Sequence, residues 1–279
     1  MERSPGGNSE NVGFDELVDS ADRRDRGRRA ARAKPVQRKG VFRTIVQVFG
    51  ELLITLGVIL MLFVGWELWW TNLAADQTQQ QAVQQFAKDL NAPVTPPSAP
   101  KDYGDPVVSK DHPDDMQTFG VVFIPRFGPN YEPRPIVQGT DQQELDTLGL
   151  GHYQSSAMPG AVGNFAVAGH RQTHGAVLDN IHTLVPGDKI YVQTKDGYYT
   201  YVFRNTEIVL PTQTSVLLPV PTVKGAEAKE RIMTMTSCNP RFGAQERIIA
   251  YSVMESWQPL SAGPPAAIAA QVKKIAEKG

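Results

Sequence analysis

Lys189-Ile190-Tyr191-Val192-Gln193-Thr194, then Lys195-Asp196-Gly197, then Tyr198-Tyr199-Thr200-Tyr201-Val202-Phe203, is the stretch on which the reading of the fold turns. Two runs of β-branched and aromatic residues meet across Asp-Gly, the dipeptide whose backbone accepts the positive φ of a tight hairpin turn. Outward from this hairpin the same grammar repeats. Gly120–Ile124 stops at Pro125, Asn164–Ala168 stops at Gly169, and Glu207–Leu210, Arg231–Ser237 and Arg247–Met254 complete a series of short runs between turn residues. Helical periodicity is scarce from Phe119 to Met254. The pattern predicts one all-β domain, a barrel or a sandwich.

The flanks read differently. Ten Lys or Arg stand between Arg23 and Arg43 against a single Asp25, after an acidic start rich in Gly, Ser and Asn. Neither stretch has enough apolar surface to fold by itself. The run Leu52–Trp70 then carries one charge, Glu67, and ends in Trp66, Trp69 and Trp70. At about 1.5 Å per residue it matches the roughly 30 Å hydrocarbon core of a bilayer. The positive-inside rule puts the basic side in the cytoplasm and everything after Trp70 outside. The basic block next to the span favours anionic lipid over nucleic acid, and the net charge of −1 argues the same way. The apolar run exceeds the core of a cleaved signal, so an uncleaved anchor is expected. Asn72–Leu90 shows an apolar stripe at Val83, Phe86 and Leu90, and the prolines between Pro93 and Pro113 forbid regular structure. This predicts a semi-stiff stalk. Trp257–Gly279 reads as a solvated tail or a small cap.

Cys238 is the chain's one cysteine, so it forms no intrachain disulfide and no multi-thiolate zinc site. It is either an inert core thiol or a nucleophile. Thr234, Thr236 and Ser237 surround it with hydroxyls, and Arg247 opens the next predicted strand beyond the Asn239–Glu246 loop. A thiol needs a base or a nearby cation to be useful at neutral pH. Arg247 can be that cation and can also hold an oxyanion. The base must be a histidine. His170, where the apolar run Phe165–Ala168 reaches Gly169, is the site-like one of five. His170 and His174 also stand at i, i+4, but there is no His-Glu-x-x-His motif and the sequence offers no third ligand, so no metal site is expected.

The ordered set Gly163–Arg171, Thr234-Met235-Thr236-Ser237-Cys238 and Glu246-Arg247 resembles the sortases, membrane-anchored cysteine transpeptidases of Gram-positive bacteria. The resemblance implies a closed eight-stranded β-barrel behind a single N-terminal transmembrane helix, a His170–Cys238–Arg247 active site, and no cofactor. Cys238 would attack a Leu-Pro-x-Thr-Gly-like (LPXTG) sorting signal of a surface protein after its threonine. His170 would act as general acid and base, and Arg247 would steady substrate and oxyanion. An amine of a cell-wall precursor of the lipid II type would resolve the thioester. Met235 and Ser237 replace the family's Leu and Thr before the cysteine; Ser237 keeps a hydroxyl that would help to orient substrate.

Gly151-His152-Tyr153 and the Asn239-Pro240-Arg241-Phe242 loop look like class E, the housekeeping type of high-GC organisms, associated with Leu-Ala-x-Thr-Gly (LAXTG) signals. Tyr153 would then help to select alanine at the second position, or else pack the barrel rim. Asp105-Pro106 is followed by Val107, not by the aromatic residue of a pilus-sortase lid. The expected organisation is a cytoplasmic basic tail (1–43), a transmembrane anchor (44–71), an extracytoplasmic stalk (72–117), the catalytic barrel (118–257) and a C-terminal tail (258–279). A thiol hydrolase using the same residues, and a non-catalytic module that binds wall proteins, are the alternatives.

Overall fold

The computed structural model describes residues 40–91, 95–97, 101–110 and 112–278. Most of the basic tail, and therefore the reading of it, lies outside these residues. Two compact units divide the chain, one ending at Leu60 and the other starting at Met61. In the first, the described residues open helix α1 (Val41–Leu90), with Leu53, Ile54 and Leu60 exposed. The helix is long and apolar enough to cross a membrane.

The second unit is built on eight strands: β1 (Thr118–Phe123), β2 (Arg134–Gln138), β3 (Leu150–His152), β4 (Gly163–Ala168), β5 (Lys189–Thr194), β6 (Gly197–Val209), β7 (Arg231–Asn239) and β8 (Glu246–Pro259). They close in the order β1-β2-β3-β4-β7-β8-β6-β5. Closure removes every sheet edge. β2–β3 and β4–β7 are parallel and the other neighbours antiparallel. The expected hairpin is β5–β6, with Lys189 opposite Val202 and Gln193 opposite Tyr198. Phe165, Val167, Ile190, Tyr201, Met233 and Met235 fill the interior.

The barrel departs from the sequence reading in three places. The run Tyr198–Phe203 and the run from Glu207, as far as Val209, belong to one strand, β6, whose polar middle (Arg204–Thr206) is exposed where its pairing with β8 is irregular. β2 holds Arg134 and Pro135, a poor strand signature, although all five of its residues are buried. The short helix α2 (Gln142–Leu148) joins β2 to β3 without an apolar stripe to announce it.

The segment read as a stalk is no free spacer. From Asn72 the helix lays a single stripe, at spacings of three and four, along the barrel. Its first part is polar: Asn72 Nδ2 donates to Gln172 O (3.1 Å), Asp76 pairs with Arg134, and Gln79 Nε2 donates to His174 O (2.9 Å). Its second part is apolar, with Val83 and Phe86 buried against Val121, Phe123, Tyr191 and Tyr198. The C-terminal helix α3 (Ala269–Lys278) adds Val272 and Ile275 to the same layer, so the tail is a packed cap. β1 and β5 are consequently buried on both faces over most of their length, which is why consecutive apolar residues stand at Val121–Phe123 and Ile190–Val192. Farther along, the proline-rich segment gives its carbonyls to barrel side chains: Trp257 Nε1 donates to Gly104 O (2.9 Å) and Tyr199 Oη to Val107 O (2.5 Å).

Candidate active site

Three adjacent strands, β4, β7 and β8, bring the predicted residues to one end of the barrel. Cys238 and Arg247 are direct cross-strand partners near the β7–β8 turn, with Asn239 opposite Glu246. On the other side of β7 the parallel ladder reaches Ala168 opposite Thr236, and Gly169 N donates to Thr236 O (3.1 Å). His170 is two residues beyond Ala168 and Cys238 two beyond Thr236. Neighbouring strands lie about 4.8 Å apart, so the end of β4 that leads into His170 lies beside the end of β7 that carries Cys238, with Arg247 opposite Cys238 on β8. Gly169 is needed at the turn, because a Cβ there would lie 2.7 Å from the side chains of Leu150 and Val177. The loop after it is closed by Leu178 N donating to His170 O (3.0 Å).

Alternation along β7 decides which hydroxyls share the cysteine's face. Met233 and Met235 point into the core, so Ser237 does too. It is 3% exposed and donates to Gly169 O (2.8 Å). Its hydroxyl ties β7 to the backbone just before His170. Thr236 and Cys238 lie on the outer face instead. There Tyr153 Oη is 3.0 Å from Thr236 Oγ1, which brings Tyr153 to the cysteine's side of the sheet. Thr234, on the same face, donates to Asn164 Oδ1 (2.7 Å), and Asn164 in turn holds the β6–β7 loop through Val216 O and Leu218 O.

Arg247 is half-buried, and its Nη1 donates to Ala244 O (3.0 Å) and Glu246 O (2.9 Å). Among the described residues it forms no ion pair with a carboxylate, so its charge is not neutralised before substrate arrives. Arg171, buried, donates to Cys238 O (3.2 Å) and Asn239 Oδ1 (2.6 Å), fixing the backbone at the cysteine.

The sequence missed Asp146. It sits on α2, and its Oδ1 lies 2.6 Å from His170 Nε2 and 3.5 Å from His174 Nδ1. One carboxylate and two imidazoles thus converge, a grouping that the spacing of the two histidines in sequence did not announce. Only the fold announces this, since α2 carries no motif. His152, next to Tyr153, is wholly buried, between Gln138 Oε1 (2.8 Å from Nδ1) and the Ser156 hydroxyl (2.9 Å from Nε2). Burial pushes its pKa down to about 4. A cavity of about 410 Å³ between Phe86, His112, Phe119 and Tyr199 lies at the other end of the barrel, off this cleft.

The barrel order is that of a sortase-type fold, and the sortase domain model matches residues 122–255. The chain belongs to the sortase family. It is 34% identical to sortase E1 of Streptomyces coelicolor over 86% of its own length, spanning 65% of that protein, and 30% identical to sortase E2 of the same organism, spanning 80% of it. Among solved structures it resembles a sortase A from Actinomyces oris (TM-score 0.57, 33% identity, 60% of this chain and 96% of that one). It also resembles sortase E1 of S. coelicolor with a tripeptide in its active site (TM-score 0.51, 35% identity, 56% and 99%). The likeness to class E is thus a likeness of both sequence and fold.

Proposed function

We propose that this protein is a membrane-anchored transpeptidase that cleaves LAXTG- or LPXTG-like sorting signals after threonine and transfers the acyl group to an amine of a cell-wall precursor. The observation that carries the reading is the adjacency of the end of β4 that leads into His170 to the ends of β7 and β8 that carry Cys238 and Arg247. Cys238 Sγ, as thiolate, attacks the threonine carbonyl. The resulting oxyanion is held by the Arg247 guanidinium, which pairs with no carboxylate among the described residues. His170 gives a proton to the departing glycine amine, leaving a thioester on Cys238. The incoming amine then attacks the thioester carbon, His170 takes up its proton, and the thiolate leaves.

Asp146 acts through His170 as a positioning residue. Its carboxylate accepts from Nε2–H, which fixes the ring and leaves Nδ1 for the cleft. The bound tripeptide in S. coelicolor sortase E1 supports a peptide substrate for this cleft. Tyr153, held by Thr236, would contact the second residue of the signal, and the class E likeness favours alanine there. The anchor would place the N-terminus in the cytoplasm and the barrel outside, near the lipid-linked acceptor.

The test is ligation by the full chain in detergent, with LAXTG and LPXTG peptides and a diaminopimelate-type or glycine amine. Ligated product, with LAXTG preferred and the preference weakened in Tyr153→Ala, is the expected result. Release of the free acid alone, whatever the amine, would make the enzyme a hydrolase.

A further inference from the structure

We propose that Asp146, His170 and His174 form a binding site for Zn²⁺ and that its occupation switches the enzyme off. One ligand atom from each residue lies within 4.8 Å of the other two. Two imidazoles and a carboxylate are the donor set of zinc and its first-row neighbours, whereas calcium and magnesium take oxygen ligands. Zinc bonds of about 2.0–2.2 Å place two ligands of a tetrahedral site roughly 3.3 Å apart. Asp146 Oδ1 and His174 Nδ1 already stand at 3.5 Å, and Asp146 Oδ1 and His170 Nε2, at 2.6 Å, need a small opening by rotation of the carboxylate. A fourth position is left for water.

A second observation points to a ligand. His174 Nδ1 is shielded from solvent on a ring that is 31% exposed and makes no hydrogen bond, Asp146 Oδ1 standing 3.5 Å from it. The proposed reaction has no use for His174, yet its backbone is held firmly. Gln79 Nε2 donates to His174 O, Asn72 Oδ1 accepts from Gly175 N (2.9 Å), and the rings of His170 and His174 lie 5.1 Å apart. Gly175 lets helix α1 approach, since a Cβ there would meet Gln79 Oε1 at 2.7 Å. On the other side, Gln142 Nε2 donates to Asp146 Oδ2 (3.2 Å) and steadies the carboxylate from outside the site.

The consequence for turnover follows from the imidazole. With Nε2 on the metal, the ring's one remaining hydrogen sits on Nδ1, and the ring cannot take up a second proton without leaving the ion. His170 then no longer cycles between acid and base. The inhibition rests on the function proposed above, but the binding does not.

The experiment therefore starts from binding, on untagged full-length protein carrying Cys238→Ala so that the thiol cannot take the ion. Co²⁺ is titrated while its visible absorption is followed, and Zn²⁺ is then used to displace it. One ion per chain is expected, with affinity lowered about 10-fold or more by His174→Asn and by Asp146→Asn. Asn suits position 174, whose φ of 52° is left-handed, and His174→Gln is carried alongside as a second variant. No binding at millimolar ion, or binding unchanged in both His174 variants, would overturn the site. With Cys238 present, Zn²⁺ should stop ligation, a chelator should restore it, and the His174 variants should ligate without metal and need about 10-fold more zinc to be stopped. Equal inhibition of wild type and His174 variants would overturn the switch.

Discussion

At the scale of single residues, Arg247 carries the heaviest demand. Arg247→Ala is expected to lower kcat/KM by about 100-fold or more, as for a lost oxyanion donor. Arg247→Lys should recover little, because an ammonium lacks the guanidinium fork. Steady-state kinetics decide this, and near-normal turnover in Arg247→Ala would remove the residue from the mechanism. Asp146→Asn should reduce kcat with little change in KM and alter the pH profile, since it disturbs His170 and touches no substrate.

His152 makes a separate prediction about stability. Above about 6.5 its ring is neutral whether the chain is folded or not. Below that, the unfolded chain takes up a proton that the buried ring refuses until about pH 4. Stability is therefore lost as pH falls from about 6.5 to 4, by on the order of 3 kcal/mol. Thermal melting across that range should show the loss, and His152→Gln should flatten it. The strand-end positions of the proposed trio were legible, His170 being marked by Gly169 and Cys238 with Arg247 by the short loop between them. The Met233–Met235 alternation turns Ser237 inward, and its hydroxyl donates to Gly169 O. Asp146 had no local signal at all.

At the scale of elements, the end of α1 belongs to the catalytic unit. Phe86 is nearly buried in the layer shared with α3, so Phe86→Ala should cost about 3 kcal/mol, measured by denaturant unfolding. A fragment starting at residue 92 would bare Val121, Phe123, Tyr191 and Tyr198 and release the loop from His170 to Gly175 from Asn72 and Gln79. It should melt well below a fragment starting at residue 71 and exchange the amide hydrogens of that loop faster. The apolar stripe at Val83, Phe86 and Leu90 was visible in sequence, but its partner was not. Prolines after Leu90 suggested an extended stalk, and nothing local says that the helix ending at Leu90 packs along strands that start only at Thr118. The β5–β6 hairpin was plain from Asp196-Gly197, whereas β2 stayed hidden behind Arg134 and Pro135, whose burial depends on Asp76, Gln79 and the barrel around them.

At the scale of the whole molecule, the chain's single cysteine serves as a reporter. A membrane-impermeant thiol reagent applied to intact cells should label Cys238, because the anchor is expected to leave the barrel outside; labelling only after lysis would reverse the topology. The same residue gives the test of the central claim, that Cys238 carries the acyl group between donor and acceptor. The full-length protein would be mixed with an LAXTG peptide without any amine, quenched in acid, and weighed intact. The account predicts a mass increase equal to the peptide's acyl portion, located on Cys238, discharged by an added amine, and missing from Cys238→Ala. A wild-type protein that cleaves or ligates the peptide while Cys238 stays unmodified, or a Cys238→Ala variant that still turns over, would contradict it.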